Sequence, residues 1–530
     1  MNDWTSGYVA DIDYTYDFFR ELTPSHLGFC AHSKGHDHAL DRPNLTYCEL
    51  GCGQGFSANL LAAANPHIQF HAMDFNPAHM AGAANLARDA ELDNVHFYER
   101  SFDDFGDAPG LPQEFDVIAL HGVYSWVSKE HQQHITNFIS QRLKSGGLVY
   151  LSYNALPGWA PALPLRRILT NRAEQGSGPL SERIAEAVEF AHQLEQNGAD
   201  YFTGNPALTK PLSKMKSMPA SYLAHEYFNK DWTPFHFEDI ASDMSQAKLK
   251  FLGAAEPRDH VDDISFSDEQ QALLKMESDP VHRESLRDIL LNEQFRTDLF
   301  VKGKLPMTER GSVAAWFKTP LALTRHYGGG TVKLSWRRGE IPMDQEQYGP
   351  VLTALAQGPM TTRELLELGV FGQMPWGEIT RMLTLLIGDG YLAPSLSNEG
   401  LEDRRERCRI FNAAVAKRSE ESETLQFFAS PVTGGGIALD RFEQLFLLAR
   451  SEGKETPADW ANLAWQILAP QGQRLQKDGR VLETAEENLS VLRARANVFA
   501  ARRLPLCETL GLTLEPTSAL GTPRQGKAAA

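Results

Sequence analysis

A glycine-rich turn supplies the first residues that could do chemistry. Three alternating glycines stand just after an acid in the run Glu49-Leu50-Gly51-Cys52-Gly53-Gln54-Gly55. Glycine lets a backbone turn tightly and approach a ligand closely, because it has no Cβ atom. The carboxylate of Glu49 could accept hydrogen bonds from an ammonium group, which a dinucleotide lacks. Phe56 stands where a dinucleotide-binding loop carries its third glycine, so the pattern disfavours a nicotinamide cofactor.

Further acids follow the next two predicted strands. The segment 67–74 alternates like a strand and ends at Asp74. This acid lies about twenty residues past the glycines, the spacing at which a carboxylate reaches a ribose diol. Asn76 could share that contact. The third strand is predicted over Val95–Glu99 and is followed by Ser101-Phe102-Asp103-Asp104.

These residues need a scaffold in which strands alternate with helices. The sequence predicts helices over Phe56–Ala64 and Glu130–Leu143, the second closed by Ser145-Gly146-Gly147, and further strands over Phe115–Leu120 and Leu148–Ser152. This alternation implies a parallel, doubly wound α/β sheet with right-handed crossovers. Ligands of such sheets bind beyond the carboxyl ends of the strands. We therefore expect one site at that edge, which collects Glu49, Asp74, Asp103, His121 and Tyr153.

Composition excludes several classes of protein. The 530 residues suggest two to four domains, and the net charge of -17 with no long basic run disfavours direct binding to nucleic acid. The same charge favours a basic partner, such as a lysine-rich polypeptide. No apolar run approaches the roughly 20 residues that span a bilayer, and no secretory signal pattern is visible.

Cysteines and histidines indicate the compartment and argue against a metal. The five cysteines include no CxxC pair, and we interpret them as reduced thiols of a cytoplasmic protein. A metal-like cluster occurs at His32, His36, Asp37 and His38. Zinc needs a fixed tetrahedral set of ligands, and this polar, glycine-bearing stretch is typical of a surface loop. We predict no bound metal.

The chain is predicted to divide into seven segments. They are a core over 1–157, a helical insertion over 158–245, the last strands of the sheet over 246–305, a connector over 306–345, a middle unit over 346–400, a helical domain over 401–515 and a disordered tail over 516–530. The insertion could act as a lid over the site or as a packing or dimerisation element of a homodimer. The middle unit resembles a winged helix, and without a basic recognition face a protein-contact role is favoured over DNA reading.

Several motifs spread along most of the chain match those of one known family. They are Tyr14-Thr15-Tyr16 with Phe19 and Glu21-Leu22-Thr23-Pro24, Glu49 to Gly55, His121 to Trp126, Ser152-Tyr153-Asn154 with Pro157-Gly158-Trp159, Tyr222 to Tyr227, and Ser430-Pro431-Val432 with Arg441 to Leu445. The chain thus resembles bacterial class I S-adenosylmethionine-dependent methyltransferases with an appended methyltransferase regulatory domain. Rickettsial protein lysine methyltransferases that modify an outer-membrane protein belong to that group. The resemblance implies a Rossmann-like sheet with a helical insertion and a mostly α-helical C-terminal region.

The resemblance also implies a cofactor and a set of residues that hold it. The cofactor would be S-adenosylmethionine, with S-adenosylhomocysteine as product and no metal. An acid after the third strand would receive the adenine amino group, and Asp103 is favoured over Asp104. The expected cofactor contacts are Glu49, Gly51, Cys52, Gly53, Gly55, Asp74, Asn76, Ser101, Phe102, Asp103 and His121.

Methylation of a protein lysine is the favoured reaction. A lysine nucleophile must lose its proton, which costs about 4–5 kcal/mol at pH 7, and an apolar, aromatic entrance lowers that cost. Tyrosine hydroxyls could then orient the neutral amine. The candidate catalytic residues are Tyr16, Tyr124, Tyr153, His121 and Trp126, and Tyr14 and Trp159 complete the aromatic set. The tryptophans could instead be core packing.

Other reactions are weighed against this one. Strand four is followed by neither Asn-Pro-Pro-Tyr, Asp-Pro-Pro-Tyr nor Pro-Cys, which argues against methylation of DNA adenine N6 or cytosine C5. The alternatives that stay open are a small-molecule O- or N-methyltransferase and a cofactor-binding regulatory protein without activity. A large C-terminal half favours a macromolecular substrate, because a small metabolite needs no such surface.

Overall fold

Seven strands form one mixed sheet in the computed structural model of the protein, which describes residues 16–37, 42–337 and 339–515. The strands are β1 (Leu45–Leu50), β2 (Ile68–Asp74), β3 (Val95–Glu99), β4 (Phe115–Leu120), β5 (Leu143–Asn154), β6 (Leu249–Ala254) and β7 (Phe295–Lys302). Their order is β3-β2-β1-β4-β5-β7-β6. The first five strands pair in parallel, and β7 runs antiparallel to both β5 and β6. The predicted doubly wound, Rossmann-like sheet is confirmed.

Helices cover the sheet and build the insertion between β5 and β6. Those that precede the insertion are α1 (Pro24–Ser33), α2 (Phe56–Ala64), α3 (Pro77–Asp89) and α4 (Lys129–Arg142). The insertion holds α5 (Leu163–Gln175), α6 (Leu180–Gln196), α7 (Asp200–Thr203), α8 (Thr209–Met215), α9 (Ala220–Tyr227) and α10 (Phe237–Gln246). Between β6 and β7 lie α11 (Asp268–Met276) and α12 (Pro280–Leu291). No helix of the described residues is long and apolar enough to cross a bilayer.

One strand begins earlier than the sequence predicts. We expected glycines to separate α4 from a strand starting at Leu148, but β5 already begins at Leu143. The glycines are absorbed as an irregularity, because the pairing with β4 shifts from Phe115–Leu143 to Val117–Leu148. Gly146 has a φ of 83° there, a conformation that glycine adopts without a steric penalty.

Most of the insertion folds around an apolar cluster of its own. Buried side chains from α5, α6, α8 and α9 meet there, including Leu169, Ile184, Leu212 and Leu223. Helix α10 differs, because Phe237 and its buried neighbours join the cluster of the main sheet instead. The insertion is therefore helical, as predicted, and its last helix belongs to the sheet.

The C-terminal half is mostly helical and contains small sheets. Its first part holds α13 (Glu309–Lys318), β8 (Pro320–Leu323), β9 (Lys333–Trp336), β10 (Gly339–Pro342), α14 (Gln345–Leu355), β11 (Met360–Thr361), α15 (Thr362–Glu367), α16 (Trp376–Gly388) and β12 (Leu392–Pro394). Strands β11, β8 and β12 form a three-stranded sheet. The winged-helix-like character of this unit stays a prediction, as do the segment boundaries. Tyr14, Thr15, His38 and the tail 516–530 lie outside the described residues.

The remaining helices pack against the cofactor half. They are α17 (Leu401–Arg418), α18 (Arg441–Ser451), α19 (Pro457–Leu468), α20 (Ala485–Val498) and α21 (Leu504–Leu510), with short hairpins β13 (Phe427–Ala429) to β14 (Gly436–Ala438) and β15 (Gln476–Lys477) to β16 (Arg480–Val481). Phe411 of α17 lies 6.1 Å from Phe56 between ring centroids, and the side-chain amide of Asn65 donates to Gly434 O at 2.7 Å. Every residue of α2 is buried as a result. The C-terminal half thus holds in place the helix that follows the glycine turn.

Candidate functional site

A cleft opens at the carboxyl ends of β1, β2 and β4, where the sequence predicts a site. It has a volume of about 1280 Å³, counting the part open to solvent. Its walls include the glycine turn after β1, the end of β2, the segment after β3 and the loop after β4. Of the predicted cofactor residues, those lining it are Glu49, Gly51, Cys52, Gly53, Asp74, Ser101, Phe102 and His121.

Glu49 is a buried carboxylate with an unused oxygen. Its side chain is 6 % exposed, and Oε2 has no hydrogen-bond partner among the described residues. Burial, helped by the negative charge of Asp74, raises the pKa of Glu49 to about 8. A buried acceptor without a donor is costly in free energy. A cationic donor bound in the cleft would relieve that cost.

The glycine turn leaves no room for side chains at two positions. Gly51 has a φ of 71°, and a Cβ there would stand 2.6 Å from Cγ2 of Val123. At Gly55, with a φ of 65°, a Cβ would stand 2.6 Å from Cβ of Ala83. Both conformations lie in the left-handed region that favours glycine. At both positions the left-handed backbone and the close neighbour therefore require glycine.

Asp74 closes the end of β2 and is held by three donors. Its Oδ2 accepts from the Gly53 N–H at 3.0 Å, and its Oδ1 accepts from the Asn76 N–H at 2.9 Å. Nδ1 of His79 lies 3.3 Å from the same Oδ1. The Asn76 side chain, in contrast, accepts from Ala78 N–H and caps α3. Asp74 therefore lines the cleft, whereas the Asn76 side chain serves as the N-terminal cap of α3.

The acids after β3 are more exposed than the others. Ser101 and Phe102 line the cleft, but Asp103 and Asp104 are exposed. The Ser101 hydroxyl donates to Asp103, and the Ser101 N–H donates to Asp104 at 3.0 Å. The hydrogen bond from Ser101 lowers the pKa of Asp103. Asp103 therefore stands at the rim, next to lining residues.

His121 is held between aromatic rings. Its Nδ1 is hydrogen-bonded to the Tyr150 hydroxyl at 2.7 Å, and the Phe19 ring stacks on it with centroids 3.6 Å apart. Burial lowers the pKa of His121 to about 4. The imidazole is therefore neutral at pH 7 and far too weak a base to deprotonate an ammonium. Its place suits ligand contact and support of the loop.

Three predicted catalytic tyrosines do not line the cleft. The buried Tyr124 hydroxyl donates to Asp243 at 3.0 Å, and the buried Tyr153 hydroxyl donates to Asp298 at 2.6 Å. Tyr16 lines a neighbouring groove with Gln54 and other residues. The hydroxyls of Tyr124 and Tyr153 are thus hydrogen-bonded to buried or partly buried acids and do not form part of the cleft lining.

Other lining residues carry no role in the sequence analysis. Asp17 and Phe19 reach the cleft from the segment before α1, and Asp231 reaches it from the end of the insertion. Of the candidate catalytic residues, Trp126 lines the cleft together with His121, and the Trp126 ring lies 6.1 Å from that of Trp232. Phe19 belongs to one of the motifs that carry the family resemblance, which was a signal for it. Asp231 has no comparable signal in the sequence. It lines the cleft because the end of the insertion folds back to the carboxyl ends of the strands.

Within the metal-like cluster, His36 is engaged by two backbone groups. Nδ1 of His36 accepts from the Leu305 N–H at 3.0 Å, and its Nε2 lies 3.3 Å from Gly146 O. Across 16–37, 42–337 and 339–515, no group of three or more histidine, cysteine or acidic side chains could hold a metal ion. None of the five thiols, all of them described, forms a disulfide.

Comparison with known proteins gives matches over most of the chain. A model described as a methyltransferase domain matches residues 41–201, and one described as a predicted methyltransferase regulatory domain matches residues 219–302. An uncharacterized protein of Synechocystis sp. is 40% identical over 510 residues, covering 96% of this chain and 100% of its own. An uncharacterized protein of Rickettsia prowazekii is 26% identical over 313 residues, covering 57% of this chain and 54% of its own.

A solved structure shares the fold. PKMT2 from Rickettsia typhi in complex with AdoHcy superposes with a TM-score of 0.70 at 17% identity, over 94% of this chain and 100% of that one. At this identity the likeness establishes the architecture. The family models and the full-length relative establish the family. The chain belongs to the class I S-adenosylmethionine-dependent methyltransferases that carry a methyltransferase regulatory domain.

Proposed function

We propose that the cleft holds S-adenosylmethionine and that the enzyme methylates lysine side chains of a protein substrate. The observation that carries the cofactor assignment is the buried Oε2 of Glu49, which lacks a donor within the described part of the chain. The α-ammonium of S-adenosylmethionine is such a donor, and it carries the positive charge that a buried carboxylate needs.

The residues of the cleft fit the rest of this cofactor. The turn at Gly51 and Gly53 offers backbone without side chains, Asp74 offers carboxylate oxygens to a ribose, and Ser101 with Phe102 forms a wall for the adenine. When bound, S-adenosylmethionine supplies a methyl group on a positively charged sulfur. An amine can attack that methyl carbon in line with the sulfur, which leaves as a neutral thioether. The protein must align the amine and exclude water.

Asp231 and the aromatic wall suit an amine acceptor. The half-buried carboxylate of Asp231 lines the same cleft as Trp126 and Phe19. A carboxylate at this position attracts a lysine ammonium, and the adjacent rings disfavour the charged form once the lysine has entered. The lysine ammonium gives one proton to solvent water as it enters, and the neutral Nζ then attacks the methyl group. His121 does not take this proton, because burial keeps the pKa of that imidazole near 4.

A protein is favoured over a metabolite as substrate for three reasons. The helical C-terminal half packs against α2 and adds a large surface that a metabolite would not need. The architecture shared with PKMT2 from Rickettsia typhi also favours a protein substrate. The net charge of -17 suits a basic segment of a partner.

A labelling experiment tests the proposal. Purified enzyme is incubated with a cell lysate and S-adenosylmethionine labelled in the methyl group, and Gly51→Arg serves as the control that cannot hold the cofactor. We expect label in a protein band, in methylated lysine after hydrolysis. Label only in the small-molecule fraction would instead assign a metabolite substrate. Label in protein at a residue other than lysine would reject the lysine assignment alone.

A further inference from the structure

A second cavity lies within the segment that matches the regulatory-domain model. It has a volume of about 1040 Å³, counting the part open to solvent, and every lining residue except Lys34 falls in 219–302. Six carboxylates and four lysine or arginine side chains line it. The lining therefore carries an excess of negative charge. Nothing in the proposed methyl transfer uses these groups.

Two buried acids of this cavity, Asp259 and Asp288, each have one oxygen without a hydrogen-bond partner among the described residues. Asp288 is the better acceptor for a ligand, because Oδ1 of Asp259 already lies 3.5 Å from Arg337 Nη2. Asp288 is 2 % exposed, its Oδ1 accepts from Arg296 Nη1 at 2.6 Å, and its Oδ2 has no hydrogen-bond partner in the described ranges.

Arg296 is shared, because it also donates to Glu284 at 3.0 Å and to both oxygens of Asp298 at 2.9 and 3.0 Å. One guanidinium thus serves three carboxylates. Burial raises the pKa of Asp288 to about 7 despite the shared guanidinium, and a cation beside Oδ2 would favour the charged carboxylate.

Lys34 supplies a cation in the same cavity. Its methylene chain lies against Gly253, and within the described residues its ammonium has no ion-pair or hydrogen-bond partner in the cavity. Burial, with a further contribution from the charge of Arg287, lowers the pKa of Lys34. The cavity therefore presents an unused acceptor and an unused cation together.

We propose that this cavity binds a small molecule that carries an ammonium group, which pairs with Oδ2 of Asp288. A carboxylate on the same molecule would pair with Lys34, so an amino acid fits better than a simple amine. The excess of acids in the lining favours a ligand with net positive charge.

The cavity adjoins the cofactor cleft. Phe295 lines the cavity, and its ring packs edge-on against His121 with centroids 6.1 Å apart. Asp298, which also lines the cavity, accepts from the Tyr153 hydroxyl. The linings of the cavity and of the cofactor cleft are therefore in contact through the rings of Phe295 and His121.

Calorimetric titration of the full chain tests the site with two matched probes. L-Ornithine and 1,4-diaminobutane share the same carbon chain and differ by one carboxylate. Each is titrated at constant ionic strength, with and without S-adenosylhomocysteine, so that the result does not depend on the cofactor assignment. We expect one equivalent of either probe to bind, and L-ornithine to bind more tightly.

Two variants separate the roles of the two groups. Asp288→Asn should weaken both probes about tenfold or more, since a charge-assisted hydrogen bond is lost. Lys34→Met should weaken L-ornithine and leave 1,4-diaminobutane unchanged. Folding should survive Asp288→Asn, because the amide oxygen can still accept from Arg296. Asp268→Asn, an exposed acid on α11, is the control and should bind like the wild type. Absence of binding by both probes, or full binding by Asp288→Asn, would overturn the site.

Discussion

The ring of Phe19 lies against the ring of His121, with centroids 3.6 Å apart and planes inclined by 21°. Phe19 precedes α1 and His121 follows β4, so the contact joins the N-terminal segment to the sheet edge. The preceding residue turns the other way, because the Phe18 ring packs on Phe427 at 5.5 Å. Two adjacent phenylalanines thus tie the C-terminal half and the cofactor cleft to the same short segment.

Phe19→Ala should expose His121 and loosen the cleft. Because burial is what lowers the pKa of His121, that pKa should rise toward its ordinary value, and turnover should fall. Loss of this partly buried ring should lower the free energy of unfolding by about 1–3 kcal/mol, which is less than truncating a fully buried phenylalanine would cost. NMR titration of His121, turnover and denaturant unfolding measure the three effects. Phe19→Leu keeps apolar volume and should show smaller changes; an unaltered His121 pKa in Phe19→Ala would contradict this account.

Glu49→Gln should separate folding from cofactor binding. The raised pKa of about 8 means that the folded state is favoured while Glu49 is protonated, and that stability is lost as pH rises from about 4.5 through 8. The amide should flatten that dependence, and it should weaken S-adenosylmethionine binding by about tenfold or more.

The same carboxylate predicts a proton linked to cofactor binding. A ligand ammonium selects the charged form of Glu49, so wild-type binding should release a proton near pH 7 and strengthen toward pH 8. Calorimetry in buffers of different ionisation enthalpy measures this proton. Glu114→Gln, which removes an exposed acid, should leave it unchanged. Equal proton release by wild type and Glu49→Gln would assign it to another group.

Gly51→Ala should cost more than the same change at a roomy glycine. A Cβ at Gly51 would stand 2.6 Å from Val123, whereas Gly110, with a similar φ of 79°, has no described atom within 4 Å of its Cβ position. Gly110→Ala should therefore cost only the left-handed strain of about 1 kcal/mol. Gly51→Ala should lose more stability and most cofactor affinity. Thermal unfolding and calorimetry compare the pair; equal losses would mean that packing against Val123 is unimportant.

Tyr153→Phe should destabilise the fold and spare the cofactor. Its hydroxyl donates to buried Asp298 at 2.6 Å, and burial already raises the pKa of that acid. Loss of the donor should lower the unfolding free energy by about 1–3 kcal/mol. Tyr124→Phe should cost less, because the side chain of Asp243 is 14% exposed and that of Asp298 is 1% exposed, so water can replace the lost donor at Asp243. Denaturant unfolding measures the stability and titration with the cofactor measures its affinity. Weaker cofactor binding at unchanged stability would show that Tyr153 contributes to the cofactor site.

Asp231→Asn should affect the methyl acceptor alone. It lines the cleft without belonging to the glycine turn or the acids after β2 and β3, so cofactor affinity should stay near wild type. The rate with a lysine-containing protein substrate should fall about tenfold, since one attraction for the ammonium is removed. Asp200→Asn, in the same insertion but away from the cleft lining, is the matched control. A normal rate in Asp231→Asn would exclude this role.

Much of the fold was predictable because its signals are local. The bounds of α2, β3 and β4 agree with the sequence pattern, since strand alternation and helix spacing are read within a few residues. The glycine turn and Asp74 reached the cleft for the same reason: strand ends in a parallel sheet share one edge. The early start of β5 was missed, because glycines that usually end a helix are absorbed here in a strand irregularity.

By itself the sequence determined the sheet, the edge where a ligand binds and the acid, Glu49, that could accept hydrogen bonds from an ammonium group. Tertiary structure decided which side chains around that edge are available. Tyr150 rather than Tyr153 meets His121, because neighbours an odd number of residues apart on β5 face opposite sides and Asp298, far along the chain, engages Tyr153. Phe19 and Asp231 enter the cleft from segments remote from the glycine turn. Such contacts depend on how the chain returns to the sheet, which local spacing does not encode.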